Sequence, residues 1–113
     1  IPNIGARTFY GDGPGTSALL MHGASANTDI FARANTSALE ANNINYMTFH
    51  DLGLWGGSNS RHGFNWLSMS RSRIENCYFE SLAGAAVYNT SSLVVTIQNC
   101  WMSSCGWGGY CCF

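Results

Sequence analysis

Apolar residues along this chain fall in short stretches, rich in Ile, Val, Phe and Tyr and broken by Gly, Asn and Ser. Such runs suit β-strands joined by tight turns. Helical periodicity is poor throughout, and the main helical candidate, Thr36 to Asn42, is no more than a turn or so capped by Asn35 or Thr36. The runs also repeat. Ile74-Glu75-Asn76-Cys77-Tyr78-Phe79 recurs 23 residues later as Ile97-Gln98-Asn99-Cys100-Trp101-Met102, and a looser copy stands at Ile44-Asn45-Tyr46-Met47-Thr48-Phe49. Each good copy is followed by a Gly-led apolar segment, Gly84 to Tyr88 in one and Gly106 to Tyr110 in the other.

A period of this length belongs to stacked repeats. The L-x-x-L-x-L framework of leucine-rich repeats is absent, which leaves an all-β parallel solenoid with about four coils and equivalent residues about 4.8 Å apart along the axis. In that geometry Ile74 and Phe79 point inward, as do Ile97 and Met102, while Glu75 and Gln98 point outward. Asn76 and Asn99 turn the corner, because Asn tolerates the left-handed backbone conformation. Cys77 and Cys100 then stand on adjacent coils within disulfide reach, with stacked reduced thiols the favoured reading. Residues 1–113 are expected to form one β-helix segment. The copy starting at Ile44 is longer than its neighbours, which predicts a protruding loop near 52–62. That loop carries Trp55, Asn59 and Arg61, with His62 beside it.

Composition narrows the function. Only 10% of the 113 residues are charged, against an average of about 25%. Lys is absent, the five basic residues are all Arg, and the net charge is −1. The basic footprint of a nucleic-acid binder is therefore missing. No apolar run is long enough to span a bilayer, and the first residues do not read as a signal peptide. Both ends read as cut rather than finished, so a leader could precede Ile1. Five cysteines cannot all pair within one chain, and Cys105, Cys111 and Cys112 lack the spacing and His neighbours of a zinc site. No cofactor or metal is expected.

The I-x-N-C-x-F repeat with its Gly-led strand resembles that of the pectate-lyase-like β-helix superfamily. Gly11-Asp12-Gly13-Pro14-Gly15-Thr16-Ser17-Ala18-Leu19 is similar to the G-x-G-x-x-T-x-L segment that opens the regular coils of such proteins, phage tailspikes and secreted polysaccharide lyases and hydrolases among them. The resemblance implies a right-handed single-stranded parallel β-helix, here a segment of a longer one. It also implies a groove that binds and cleaves polysaccharide, a secreted or virion-surface setting, and packing in a homotrimer or against neighbouring coils. The motifs are structural. The N-T-D, D-D, G-H-G and R-I-K set of polygalacturonases is absent, and so is the Asp-rich calcium site of pectate lyases.

Glycoside hydrolysis ordinarily uses two carboxylates. Asp51 and Glu80 follow the aromatic residues Phe49 and Phe79 closely, which predicts one edge of one face. Glu75, outward on its coil, is the third candidate. His22, His50 and His62 are possible bases or sugar contacts, and Trp55, Asn59, Arg61 and His62 are the candidate substrate contacts. Phe64 and Trp66 read as core. A non-enzymatic adhesin or structural shaft is the rival reading, and a groove without close acids would favour it.

Overall fold

The computed structural model describes residues 7–20, 28–32, 44–57 and 60–112. Among them every regular element is a strand. A first circuit runs through β1 (Thr8–Tyr10), β2 (Ala18–Leu20), β3 (Phe31–Ala32) and β4 (Ile44–Asn45). A second follows with β5 (Thr48–His50), β6 (Gly53–Trp55), β7 (Phe64–Leu67) and β8 (Met69–Ser70). The third holds β9 (Arg73–Glu75), β10 (Tyr78–Glu80) and β11 (Val87–Thr90), and the fourth β12 (Thr96–Gln98), β13 (Trp101–Ser103) and β14 (Tyr110–Cys112). Equivalent strands pair in parallel as β1-β5-β9-β12, β2-β6-β10-β13, β3-β7-β11-β14 and β4-β8. The chain is thus all-β with parallel sheets, compatible with a parallel β-helix. The candidate helix at Thr36 to Asn42 lies outside the described residues.

The 23-residue repeat is the register of the sheets: Ile74 pairs with Ile97 and Phe79 with Met102. The looser copy aligns differently from the sequence expectation. Phe49, not Ile44, pairs with Ile74, and Leu54 pairs with Phe79, while Ile44 pairs with Met69. The chain therefore reads Phe49-His50-Asp51-Leu52-Gly53-Leu54 against Ile74-Glu75-Asn76-Cys77-Tyr78-Phe79. Burial enforces this choice, because Phe49 and Leu54 are both fully enclosed and a slip would expose them. Within the segment expected to form a protruding loop, Gly53–Trp55 is a strand of the second sheet, and Ser60 bridges to Thr28. The extra chain lies earlier, since Phe9 pairs with Phe49 across 40 residues.

Corners are built from left-handed residues stacked in columns. Asp51, Asn76 and Asn99 have φ of 59°, 49° and 51°. Gly11, Asp51 and Asn76 each donate their backbone N–H to the carbonyl of the next circuit, at 3.2, 3.2 and 3.1 Å. Ser81 with Ser104, Ser68 with Ser91, and Tyr46 with Arg71 and Val94 repeat the device at other corners. Inside, the rings of Phe9 and Phe49 stack at 5.0 Å, those of Phe31 and Phe64 at 5.1 Å, and Phe49 meets Phe64 edge-on at 4.6 Å. Trp66, Phe79, Ile74 and Met47 complete the enclosed core, with Phe64 and Trp66 inward as expected.

Candidate functional site

Strand alternation sends Phe9, Phe49, Ile74 and Ile97 toward the core and leaves two outward columns on the first sheet. One is Thr8, Thr48, Arg73 and Thr96. The other is Tyr10, His50, Glu75 and Gln98. Their polar side chains border a concavity of about 450 Å³ lined by Thr8, Tyr46, Thr48, His50, Arg71, Arg73 and Glu75.

The left-handed corner at Asp51 places its carboxylate beside the residue that precedes it. His50 Nδ1 lies 2.5 Å from Asp51 Oδ2, and the His50 ring stacks on Tyr10 at 5.5 Å. Asn76, from the same corner column, donates its Nδ2 to Asp51 Oδ1. The bonds from His50 and then Asn76 hold the Asp51 carboxyl below its ordinary pKa of 3.8. In the tautomer that donates from Nδ1 to this carboxylate, Nε2 of a neutral His50 faces outward as an acceptor. On the next strand Glu75 is the register partner of His50. Its Oε1 accepts from Arg73 Nη1 at 3.0 Å and Gln98 Nε2 at 2.8 Å. An oriented imidazole, a second carboxylate one strand away and two guanidinium groups can together move a proton and bind an oxygen-rich ligand.

The other expected residues are distributed differently. Glu80 sits in the second sheet as the partner of Trp55, and both line a separate concavity of about 380 Å³ with Leu20, Gly57 and Ser81. Of the three acids, Asp51 and Glu75 share a face, bonded backbone to backbone, and Glu80 does not. Trp55 is 37% exposed. His22 and Asn59 lie outside the described residues. Arg61 forms a two-pronged ion pair with Asp29, Nε to Oδ1 at 2.9 Å and Nη2 to Oδ2 at 2.7 Å. Asp29 also accepts from Asn65 Nδ2 at 2.8 Å and the His62 N–H at 3.2 Å. Burial alone would raise the Asp29 pKa, but the bonds from Arg61 and Asn65 outweigh it and the net shift is downward.

His62 is buried. Its Nδ1 accepts the Ala85 N–H at 2.9 Å, and its ring stacks on Tyr88 at 4.7 Å. Burial pushes its pKa below 6.5. Arg61 and His62 thereby tie successive circuits together. Sequence reasoning missed Tyr10, Tyr46, Arg71 and Arg73. The signal that finds them is the alignment of Asp51 with Asn76 and Asn99, which fixes the circuit and both outward columns.

Among the described residues no group of three His, Cys, Asp or Glu side chains could hold a metal ion, and no helix is long and apolar enough to cross a membrane. No protein-family model, curated protein or solved structure matches the chain.

Proposed function

We propose that the chain is a segment of a right-handed parallel β-helix of the pectate-lyase-like kind. We further propose that the outward face of β1, β5, β9 and β12 binds a polysaccharide and cleaves its glycosidic bonds. The helical reading is supported by four circuits that visit the same sheets in the same order, and crossovers between parallel strands are almost always right-handed. A secreted or virion-surface setting, and packing against further coils or in a homotrimer, belong to the same proposal.

One observation carries the functional reading. The concavity of about 450 Å³ is bordered by His50, whose Nδ1 is tied to Asp51, and by Glu75 on the neighbouring strand. His50 Nε2 takes a proton, from water in a hydrolysis or from a sugar carbon in an elimination. Tyr46 returns one to the leaving oxygen, and Glu75 holds Arg73 in place against the sugar. Arg71 and Arg73 contact sugar oxygens, and Tyr10 offers a ring face.

The test is a panel of soluble polysaccharides, assayed for new reducing ends and for the ultraviolet absorbance of a new C=C bond. The full chain is expected to cut at least one, with His50→Ala and Glu75→Gln each slower by at least about 100-fold while the fold persists by circular dichroism. Cleavage unchanged in both variants would overturn the assignment of this face. The adhesin or shaft reading has its own support, since Asp51 and Glu75 each already have two side-chain partners. Retention by a glycan in affinity electrophoresis without any cutting would decide for it.

A further inference from the structure

Behind the Glu75 and Gln98 column, one residue past the corner asparagines, stand Cys77 and Cys100, both free thiols. The backbone clamps them in register. Asn76 N–H donates to Gln98 O at 3.1 Å on one side of the pair, and Trp101 N–H donates to Cys77 O at 3.0 Å on the other. Strands held this way lie about 4.8 Å apart, inside the window of roughly 4.4–6.8 Å between Cα atoms that a disulfide needs.

The two thiols have unlike surroundings. Cys77 is fully enclosed, its Sγ 3.2 Å from Glu75 O. Cys100 is partly exposed, its Sγ 3.3 Å from Gln98 O. The hydrogen bond from Cys77 is the chief influence that lowers the Cys100 pKa to about 7, and the same bond with burial pushes Cys77 upward. A solvent-side thiolate backed by a buried thiol is the division of labour found in dithiol redox pairs. Cys105 lacks it, because the backbone bond from Gly106 N–H to Leu82 O sets its neighbour in the adjoining circuit as Leu82.

We propose that Cys77 and Cys100 are a redox pair that a small-molecule disulfide converts to a bond tying the third circuit to the fourth. The Cys100 thiolate attacks one sulfur of the small disulfide, whose S–S bond breaks and releases one small thiolate to take up a proton. Cys77 sulfur then attacks Cys100 Sγ, and its proton passes to the small thiolate that departs. The mixed disulfide breaks and expels the second small thiol. Two protein thiols and one disulfide become one protein disulfide and two small thiols.

The experiment exposes the full chain to glutathione disulfide, alkylates the remaining thiols, and reads intact mass and non-reduced peptide maps. The expected product has lost two hydrogen masses, carries a peptide crosslink between Cys77 and Cys100, and leaves Cys105 alkylated. In Cys77→Ser the glutathione adduct is expected to persist on Cys100, and in Cys100→Ser the crosslink is expected to be absent with Cys77 unmodified. Should Cys77→Ser fail to fold, the wild-type map and Cys100→Ser decide. A stable adduct on wild-type Cys100, a crosslink to any other cysteine, or no reaction at either thiol overturns the proposal.

Discussion

Val94 holds φ at 56°, a conformation in which a β-branched side chain crowds its own carbonyl. It is 75% exposed, so burial does not offset that strain. Val94→Asn is expected to stabilise the chain by about 1 kcal/mol, read as a higher urea midpoint at unchanged slope. His62 supplies a second residue-scale prediction. Its folded pKa is depressed, so the unfolded chain binds the proton first as the solution is acidified. Stability is full above the unfolded value of 6.5 and declines as pH falls through the lower folded value. Urea midpoints should therefore begin to drop as pH falls through the unfolded value of about 6.5, and the drop should vanish in His62→Phe. A profile equally steep in that variant would assign the slope elsewhere. Asp29 has a depressed pKa of the carboxylate kind, so its contribution is lost only in stronger acid, below 3.8. The corner asparagines were legible from sequence alone, because Asn adopts the left-handed backbone at lower cost than most residues. Asp51 in the same column was not, since its neighbours Phe49 and Leu54 spell the motif in different apolar letters.

At the scale of elements, β6 shows how a strand hides in a segment that reads as a loop. Gly53 starts it, and a Cβ there would meet the Pro14 carbonyl oxygen at 2.4 Å. The glycine that suggests flexibility is required by close backbone approach. Gly53→Ala is expected to lose about 1–3 kcal/mol by overpacking, with the cost visible in thermal unfolding; no loss would mean that β2 and β6 are not packed in this register. The Gly84-led and Gly106-led segments similarly reach their sheet one residue out of the sequence alignment, since Val87 rather than Tyr88 pairs with Tyr110. Turn lengths absorb such offsets at little energetic cost, so a repeat marks the strands more reliably than the links between them.

Leu93, Val94, Trp101, Trp107 and Tyr110 are all exposed on the fourth circuit, and among the described residues β12, β13 and β14 each pair with a strand on one side only. The chain in isolation is expected to associate as its concentration rises, which sedimentation velocity would register as a growing sedimentation coefficient. A cooperatively unfolding monomer at every concentration would refute this. Within the stack, the Phe49 and Phe64 pair joins two sheets at its centre, and Phe64→Ala is expected to cost about 3–5 kcal/mol in chemical unfolding. The amino-acid sequence by itself determined the β character, the 23-residue step between the last two circuits, the left-handed asparagine corners, and Glu75 outward beside Gln98. Each follows from local conformational preference or from a two-residue alternation that any pleated strand obeys. Only the tertiary structure decided that Asp51 joins the corner column, that His50 faces Glu75, that Glu80 turns to the neighbouring sheet, and that Arg61 belongs to Asp29. Those are contacts between circuits 25 or more residues apart, and their register is chosen by which aromatic side chains can be enclosed together.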